Sequence, residues 1–399
     1  MTRRVLISGA SIAGPALAYW LQRHGFQVTL VERAPGLRPG GQAIDIRGVA
    51  LDVVERMGLL DSIREQSTRQ RGFSTMSPSG KELLRITEFT PTGGSTGNPD
   101  VEIMKSDLTE LLYAATKDHA EYRFGDSISA LAEDTDGVTV TFAGGNQERF
   151  DLVVGADGVH SGVRELAFGS DEDYLHPLGM HLAIFSMENV FGLDYWQAFC
   201  RTPGQLNGIY SARDNTEARG AFGFYDPGLR IDYRDTERQM AVLEERFTDR
   251  GWASETFLKA MREAPDFYFD SMALVKMEHW STGRVVLVGD AGYCATPFSG
   301  QGTSLALVGA YVLAGELAAA DGAHRVAFGR YERVLREFVL RNQALAQSSV
   351  RAFQSGRFTL WIQVQVLRLV SRLPFRERLY SRSANPLESA SRALALPAY

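Results

Sequence analysis

Cysteine is almost absent. Only Cys200 and Cys294 carry thiols among 399 residues, too few for a disulfide framework or a thiolate metal cluster. The seven histidines show no metal-ligand spacing, and no Ser/His/Asp set or close carboxylate pair marks a hydrolytic site. Positive charge is not in excess. Forty-two Lys and Arg stand against 48 Asp and Glu, and the net charge of −6 argues against general binding of nucleic acid. No uninterrupted apolar run is long enough to span a bilayer. Arg3 and Arg4 before an apolar run imitate a signal peptide, but Gly9, Gly14 and Pro15 break that run, which reads instead as a strand entering a turn. What remains is ordinary globular composition, 44% hydrophobic and 23% charged, long enough for two domains, with a reducing cytoplasm as the default setting.

Against these absences stand three glycine-rich stretches far apart in the chain. The first is VLISGASIAGPALAYWL at 5–21. Val5–Ser8 suits a buried parallel strand, and Gly9-x-Ser11-x-x-Gly14 is a dinucleotide fingerprint with serine at its second glycine. Gly9 permits the tight turn, position 11 must be small for a pyrophosphate to approach, and Gly14 lets the helix lie close to the strand. Ile12 and Ala13 fall at the helix N-terminus, whose unpaired N–H groups favour phosphate. A second strand, Gln27–Val31, ends in Glu32 and Arg33. An acid at that point accepts hydrogen bonds from a ribose and selects FAD or NAD over NADP.

The second stretch, DLVVGADGVHSGVR at 151–164, is a strand, a turn at Gly155-Ala-Asp157-Gly158 and a following helix with Ser161 and Arg164. An exposed carboxylate there suits ribityl hydroxyls or a pyrophosphate, yet Asp-Gly is also simply a common turn dipeptide. The third stretch is RVVLVGDAGYCATPFSGQGTSLALVGA at 284–310. Its strand ends at Gly289-Asp290, Pro297 fixes the chain, and Gly300-Gln301-Gly302 opens a helix near Thr303. The positive end of that helix would stabilise a reduced flavin.

In this order the three stretches resemble the class A flavoprotein monooxygenases, the fold of para-hydroxybenzoate hydroxylase, over nearly the whole chain. Two positions depart from that pattern: Tyr293 replaces a common histidine and Ser304 a common asparagine, both expected near the flavin. Gly40-Gly41-Gln42-Ala43-Ile44-Asp45-Ile46-Arg47-Gly48, Asp266-Phe267-Tyr268-Phe269-Asp270-Ser271 and the segment around Tyr293-Cys294 resemble more closely the tetracycline-inactivating branch, the tetracycline destructases. The resemblance implies non-covalent FAD. Its contacts fall on the fingerprint, Glu32, Arg33, Gln42, Asp45, Asp157 and Gly158, and on Gly289, Asp290, Pro297, Gly300, Gln301, Gly302, Thr303 and Ser304. Lys105 falls where relatives place an arginine that reaches the flavin; its other reading is a solvated lysine at a helix start.

The resemblance further implies an α/β fold. A Rossmann-type FAD domain (1–75, 100–170, 275–330) carries an inserted, mostly antiparallel substrate sheet (76–99, 171–274) and a C-terminal helical region (331–399) that bridges the domains. Alternating apolar segments in 171–274 agree with such a sheet. Phe222 and Phe224 are expected on one face, and His181, Ala183 and Phe185 on another. With Pro297 and Phe298 these are the candidate substrate contacts; ordinary core packing is the competing reading for each aromatic. Pro91–Pro99 is the most loop-like stretch, either a cover over the entrance or a plain exposed loop. From Arg351 to Tyr399 eight arginines face two glutamates among apolar residues. A helix packed across both domains explains this better than one lying on a membrane.

No residue is assigned as catalytic, because the chemistry belongs to the cofactor. The resemblance implies that NADPH or NADH would reduce FAD transiently, that O2 would form a hydroperoxide at flavin carbon 4a, and that one oxygen would enter an aromatic or polycyclic phenol or enol, a tetracycline first among them. Hydroxylation and Baeyer–Villiger insertion both stay open. A monomer or weak dimer is expected. Other readings are a reductase of the same fold and a flavin-bound ligand-sequestering protein without turnover. A flavin halogenase is disfavoured: all five tryptophans (Trp20, Trp196, Trp252, Trp280, Trp361) are isolated, so its Trp-x-Trp segment is missing.

Overall fold

The computed structural model describes residues 3–87, 89–90, 94–95, 99–371 and 386–399; the side chains at 94–95, 298, 347–349 and 352 lie outside that description. Most of Pro91–Pro99, the Phe298 side chain, and Arg372, Arg376, Arg378 and Arg382 of the basic C-terminal segment therefore lie outside the described residues.

Two sheets organise the chain. The first has six strands in the order Ser281–Thr282, Val285–Leu287, Leu152–Gly155, Arg4–Ser8, Gln27–Glu32 and Glu121–Phe124. All neighbours in it are parallel except the short antiparallel edge pair Ser281–Thr282 and Val285–Leu287. Its central strands are continuous apolar runs, as a sheet covered on both faces requires. The helices Ala13–Arg23 and Gly302–Ala319 pack together across it. Gly302–Ala319 is the one described helix long and apolar enough to cross a membrane, but 83% of it is buried in the core. Its apolar composition all round is that of a core helix.

The second sheet has seven strands in the order Tyr268–Val275, Leu175–Met187, Glu217–Tyr225, Gln205–Ala212, Gln197–Thr202, Phe73–Met76 and Glu82–Ile86. It is antiparallel apart from the pairing of Gln197–Thr202 with Phe73–Met76. A Rossmann-type domain with an inserted antiparallel sheet and C-terminal helices is the architecture read from the sequence.

The assignment of faces in that sheet needs correction. His181 stands directly opposite Phe224, Ala183 opposite Phe222 and Phe185 opposite Gly220. Directly opposed residues share a face, so all five side chains lie together. That face is covered by the helices Thr236–Phe247 and Ser254–Glu263, through Met240, Leu243, Phe247, Phe257 and Met261. Phe222 lies 4.5 Å from Phe247, ring to ring, and His181 stacks on Phe224 at 4.8 Å. Both imidazole nitrogens of His181 are engaged, with Ser271 Oγ at 2.9 Å and the Asp226 carbonyl at 3.0 Å. The register that decides this is a long-range property, invisible in the alternation of each strand.

The C-terminal region touches both sheets' domains. The helix His324–Phe353 runs from the core of the first domain to Phe353, which packs on Met180 and Met272 of the second sheet. The helix Arg357–Val370 leans through Leu367 and Val370 on Leu84 and Ile86. Tyr399 then returns to the first domain, its hydroxyl donating to Glu316 at 2.8 Å.

Phe222→Ala tests the corrected face. Emptying this fully buried site should cost about 3–5 kcal/mol, read as a lowered thermal midpoint, with flavin affinity unchanged. A loss of flavin at full stability would contradict the placement.

Candidate functional site

Each glycine stretch begins where a strand of the first sheet ends. Gly9 has φ +105°, and a Cβ there would lie 2.5 Å from the Ala156 carbonyl oxygen. A Cβ on Gly14 would lie 1.9 Å from the Gly9 carbonyl oxygen. Glycine is required at both positions before any ligand is considered. The helix Ala13–Arg23 has no side-chain cap at its N-cap Ile12, so its first N–H groups face outward beside Ser11. Glu32 is held at the same edge: its carboxylate accepts from the Ala10 and Ala34 N–H groups, each at 3.0 Å. Arg33 is exposed.

Asp157 differs from the exposed carboxylate expected of it. It accepts from Ser161 Oγ, from the Val163 N–H at 3.1 Å and from Ser8 Oγ at 3.3 Å. Burial raises its pKa and these donors oppose the rise. The side chain clamps its own turn to the first strand, leaving the Asp157-Gly158 backbone at the turn's surface. Arg164, fully buried, joins this turn to the third stretch. It donates to the Val159 carbonyl at 2.6 Å and the Ala291 carbonyl at 2.8 Å, and pairs with Asp171. Nothing local in the sequence gives Arg164 that role.

In the third stretch, Gly289 sits where the helices cross; a Cβ there would meet Ala13 Cβ at 3.2 Å. Asp290 follows, partly exposed, its pKa raised by burial and restrained by the nearby charge of Lys105. Lys105 lies within electrostatic range of Asp290, Arg38 and Glu32; burial lowers its pKa and Asp290 opposes the change. Its backbone N–H donates to the Gln42 carbonyl at 3.0 Å. Thr296 takes φ +63°, a costly conformation for a β-branched residue. Pro297 is exposed and Thr303 buried. Gln301 is completely buried, yet neither its amide nitrogen nor its amide oxygen finds a partner in the protein. A Cβ on Gly302 would lie 3.8 Å from the Asp290 carboxylate. Ser304 Oγ accepts from the Arg47 N–H at 3.1 Å. Arg47 pairs with Asp45 at 3.0 Å and Asp100 at 3.3 Å. Burial lifts Asp45 to about 7 against the pull of Arg47, and Gly300 lies over this pair.

Tyr293 is not at the mouth of this cleft. Its hydroxyl meets that of Tyr331 at 2.9 Å, its ring lies 4.6 Å from Trp280, and burial pushes the phenol up to about 12. A Cβ on Gly309 would come within 2.0 Å of the Tyr293 oxygen. The expectation that Tyr293 alters the flavin surroundings directly is therefore corrected: the tyrosine fills core space that Gly309 leaves open.

The residues from all three stretches, with Glu32, Gln42, Asp45 and Lys105, thus converge on one cleft. His181, Ala183, Phe185, Phe222 and Phe224 lie on the far side of the second sheet. A cavity of about 370 Å³ beside His181, between the 226–232 loop and Ser271, is lined by none of the three glycine stretches.

The sheet's other face carries Leu182, Ile184, Tyr210, Arg219, Tyr268 and Asp270. It grips residues 40–43. Arg219 Nε donates to the Gly41 carbonyl at 3.0 Å, the Ala43 N–H donates to Tyr210 at 3.0 Å, and the Gly41 N–H donates to Asp266 at 3.4 Å. Gly40 has φ +74°, and a Cβ there would strike the Asp266 carboxylate. Beside this grip, His160 of the second stretch stacks on Tyr233 at 4.2 Å and meets Asp270 at 3.3 Å and Asp171 at 3.6 Å. Burial alone would lower the imidazole's pKa; hydrogen bonds to the two carboxylates outweigh it and raise it to about 9. Tyr268 donates to Asp270 at 3.1 Å. Nothing local in the sequence singles out His160 or Arg219; Tyr268 and Asp270 lie in the Asp266–Ser271 stretch, where their two-residue spacing on a strand is the local signal of a shared face.

The chain matches the FAD binding domain family over residues 2–338. It is 56% identical to an uncharacterised protein of Mycobacterium tuberculosis over 87% of this chain and 94% of that one. It is 42% identical to a flavin-dependent monooxygenase of Legionella longbeachae over 85% and 87%. Among solved structures, the tetracycline destructase Tet(55) superposes with a TM-score of 0.85 at 37% identity, covering 100% of this chain and 99% of that one.

Because His160 is held protonated above its ordinary 6.5, its contribution to stability should be whole below about pH 6.5 and lost as pH rises through 9. Thermal midpoints measured from pH 6 to 10 should fall across that window in the native protein and fall less in His160→Gln. Identical slopes would show that the imidazolium does not tie the second stretch to the sheet.

Proposed function

The chain belongs to the family of flavin-dependent monooxygenases built on this FAD binding domain, and from that premise we propose that it oxygenates an aromatic or polycyclic small molecule with NADPH or NADH as reductant and O2 as oxidant. The residues present fit FAD. An uncapped helix N-terminus, a fixed carboxylate beside it and the partly exposed Asp290 carboxylate lie where the strands of the first sheet end. A long ligand with phosphates at one end and a polar ring at the other would satisfy all three. Glu32 would receive the adenosine ribose hydroxyls, and the N–H groups from Ser11 to Gly14 the pyrophosphate. Asp290 would receive the ribityl chain, and the start of the helix Gly302–Ala319, with Gln301, the ring.

When bound, FAD supplies the redox chemistry, passing two electrons from the nicotinamide and activating O2 so that one oxygen atom reaches the substrate. The chain's own residues position and enclose. Lys105 places a positive charge within electrostatic range of Asp290 and Glu32, which suits a ligand that gains negative charge on reduction. Arg219, Tyr210 and Asp266 hold residues 40–43 against the substrate sheet and so help keep water out of the cleft. The face of that sheet turned towards residues 40–43, where Ile184 stands opposite Tyr268, would form one wall for a planar substrate. The single observation that carries this reading is the convergence of three strand-end turns and one open sheet face on the same cleft. A tetracycline is the first specific candidate, on the strength of the 37% identity to a tetracycline destructase.

The purified protein should bind FAD, and Glu32→Gln should weaken that binding about tenfold, the worth of one to two hydrogen bonds. NADPH and NADH oxidation should be stimulated by a member of a panel of tetracyclines and polycyclic phenols, with O2 consumed and product heavier by one oxygen atom. Stimulation by phenols but no tetracycline would reject the specific substrate alone. Anaerobic turnover would mark a reductase, binding without turnover a sequestering protein, and absence of bound FAD would reject the whole reading.

A further inference from the structure

We propose that Tyr268 is a hydrogen-bond acceptor of fixed polarity in the cleft, which selects for a ring that brings a hydroxyl or N–H donor to it; this deepens the flavin-site reading above and rests on it. Tyr268 and Asp270 are two residues apart on the strand Tyr268–Val275, opposite Ile184 and Leu182 on the open face of the sheet. A phenol has one proton to give. Tyr268 gives it to Asp270 Oδ2 at 3.1 Å, so its lone pairs are what it has left to offer.

That polarity is held from behind. The other oxygen of Asp270 accepts from the Ser271 N–H at 2.8 Å and meets His160 Nε2 at 3.3 Å. His160 is braced in turn by Asp171 and the Tyr233 ring. Asp270 is thus kept as an acceptor, with its orientation set on both oxygens. On the cleft side, Tyr268 lies within electrostatic range of Asp290 and Cys294 of the third stretch. Burial, followed by the Asp270 and Asp290 carboxylates, raises its pKa well above the ordinary tyrosine value, so the group stays a neutral phenol. The residue is nonetheless partly exposed.

A phenol or enol hydroxyl at this point would extend the chain: the ligand donates to Tyr268 and Tyr268 to Asp270, a carboxylate on which His160 donates from the other side. An ether or ketone oxygen would face lone pairs and leave the site unsatisfied. A site built around one hydrogen bond rejects the analogue that lacks it far more strongly than an apolar pocket does. The donor has two possible sources, a substrate hydroxyl and an N–H of the flavin ring. Tyr268 is the group in contact; Asp270 and His160 are positioning residues.

Three measurements on the FAD-loaded protein and its apoprotein test this. Affinities for 2-naphthol and 2-methoxynaphthalene are read from the flavin absorbance change, and FAD affinity from equilibrium dialysis, in the native protein and in Tyr268→Phe. A preference for the naphthol of about tenfold or more, collapsing towards parity in Tyr268→Phe with FAD affinity unchanged, assigns the donor to the substrate. A several-fold loss of FAD affinity in Tyr268→Phe with the naphthol preference unchanged assigns it to the flavin. Asp270→Leu frees the phenol proton, and the methyl ether should then gain on the naphthol. If Tyr268→Phe alters neither the preference nor FAD affinity, or if the native protein shows no preference and keeps its FAD affinity in the variant, the proposal is overturned. Failure of the native protein to take up FAD would instead reject the flavin reading itself.

Discussion

Ser8, Gly155 and Leu287 stand side by side because the strands that end in them run parallel and in register. The backbone stitching continues one residue further: the Val288 N–H bonds to the Gly155 carbonyl, Ala156 to Ser8 and Gly9 to Val31. The chain is then forced to turn at the same level three times in adjacent strands. Three turns that are remote in sequence become one edge, with helix N-termini and acidic groups along it. The close approach explains the glycines more directly than any ligand does. Side chains at 9 and 14 would collide with neighbouring carbonyls of the same edge. The ligand site is what remains when strands this close must all turn back.

The second sheet contributes through asymmetry. Its helix-covered face is filled with aromatic rings beneath the two helices, and the cavity beside His181 at its edge is lined by none of the three glycine stretches. The polar side chains turned towards residues 40–43 and the third stretch are on the opposite face, and several of them are committed to backbone groups there. Arg219, Tyr210 and Asp266 reach across to residues 40–43, which join the first sheet to Asp45 and Arg47. The two sheets are thus coupled at the cleft by side chain to backbone hydrogen bonds, which fix geometry better than apolar packing would.

What was legible in the sequence follows from how local each signal is. The glycine fingerprint, Glu32 at a strand end and the strand–turn–helix units are spelled out within short windows, and the resemblance to a known family extended them to the fold. Register is not local. Alternation told that Phe222 and Phe224 share a face but could not tell that His181 and Ala183 lie opposite them. The inward turn of Asp157 depends on Ser8, nearly a whole domain earlier. Arg164 and His160 depend on residues 291 and 270. Tyr293 sits at a position where the family places a residue near the ring, and only the neighbouring Gly309 and Tyr331 reveal that its side chain points into the core.

The same dependence on distant residues reaches the start of the helix Gly302–Ala319. Asp45 and Arg47 form a buried ion pair, and such pairs hold their geometry only when their surroundings are rigid and their remaining hydrogen bonds are met. Arg47 is fixed through its backbone by Ser304, and Gly48 next to it donates to Asp100 at 3.2 Å. Gly48 also has φ +54°, and a Cβ there would lie 2.3 Å from the Ser391 carbonyl oxygen. The C-terminal segment therefore packs directly behind the pair. It is anchored by Asn342 donating to the Ala390 carbonyl at 3.2 Å and by Tyr311 donating to the Pro397 carbonyl at 2.8 Å. A residue close to the end of the chain thus supports the backbone beside an ion pair formed near its beginning. The surroundings of the Asp45–Arg47 pair are a property of the assembled chain, which is why no single stretch of the sequence encodes them.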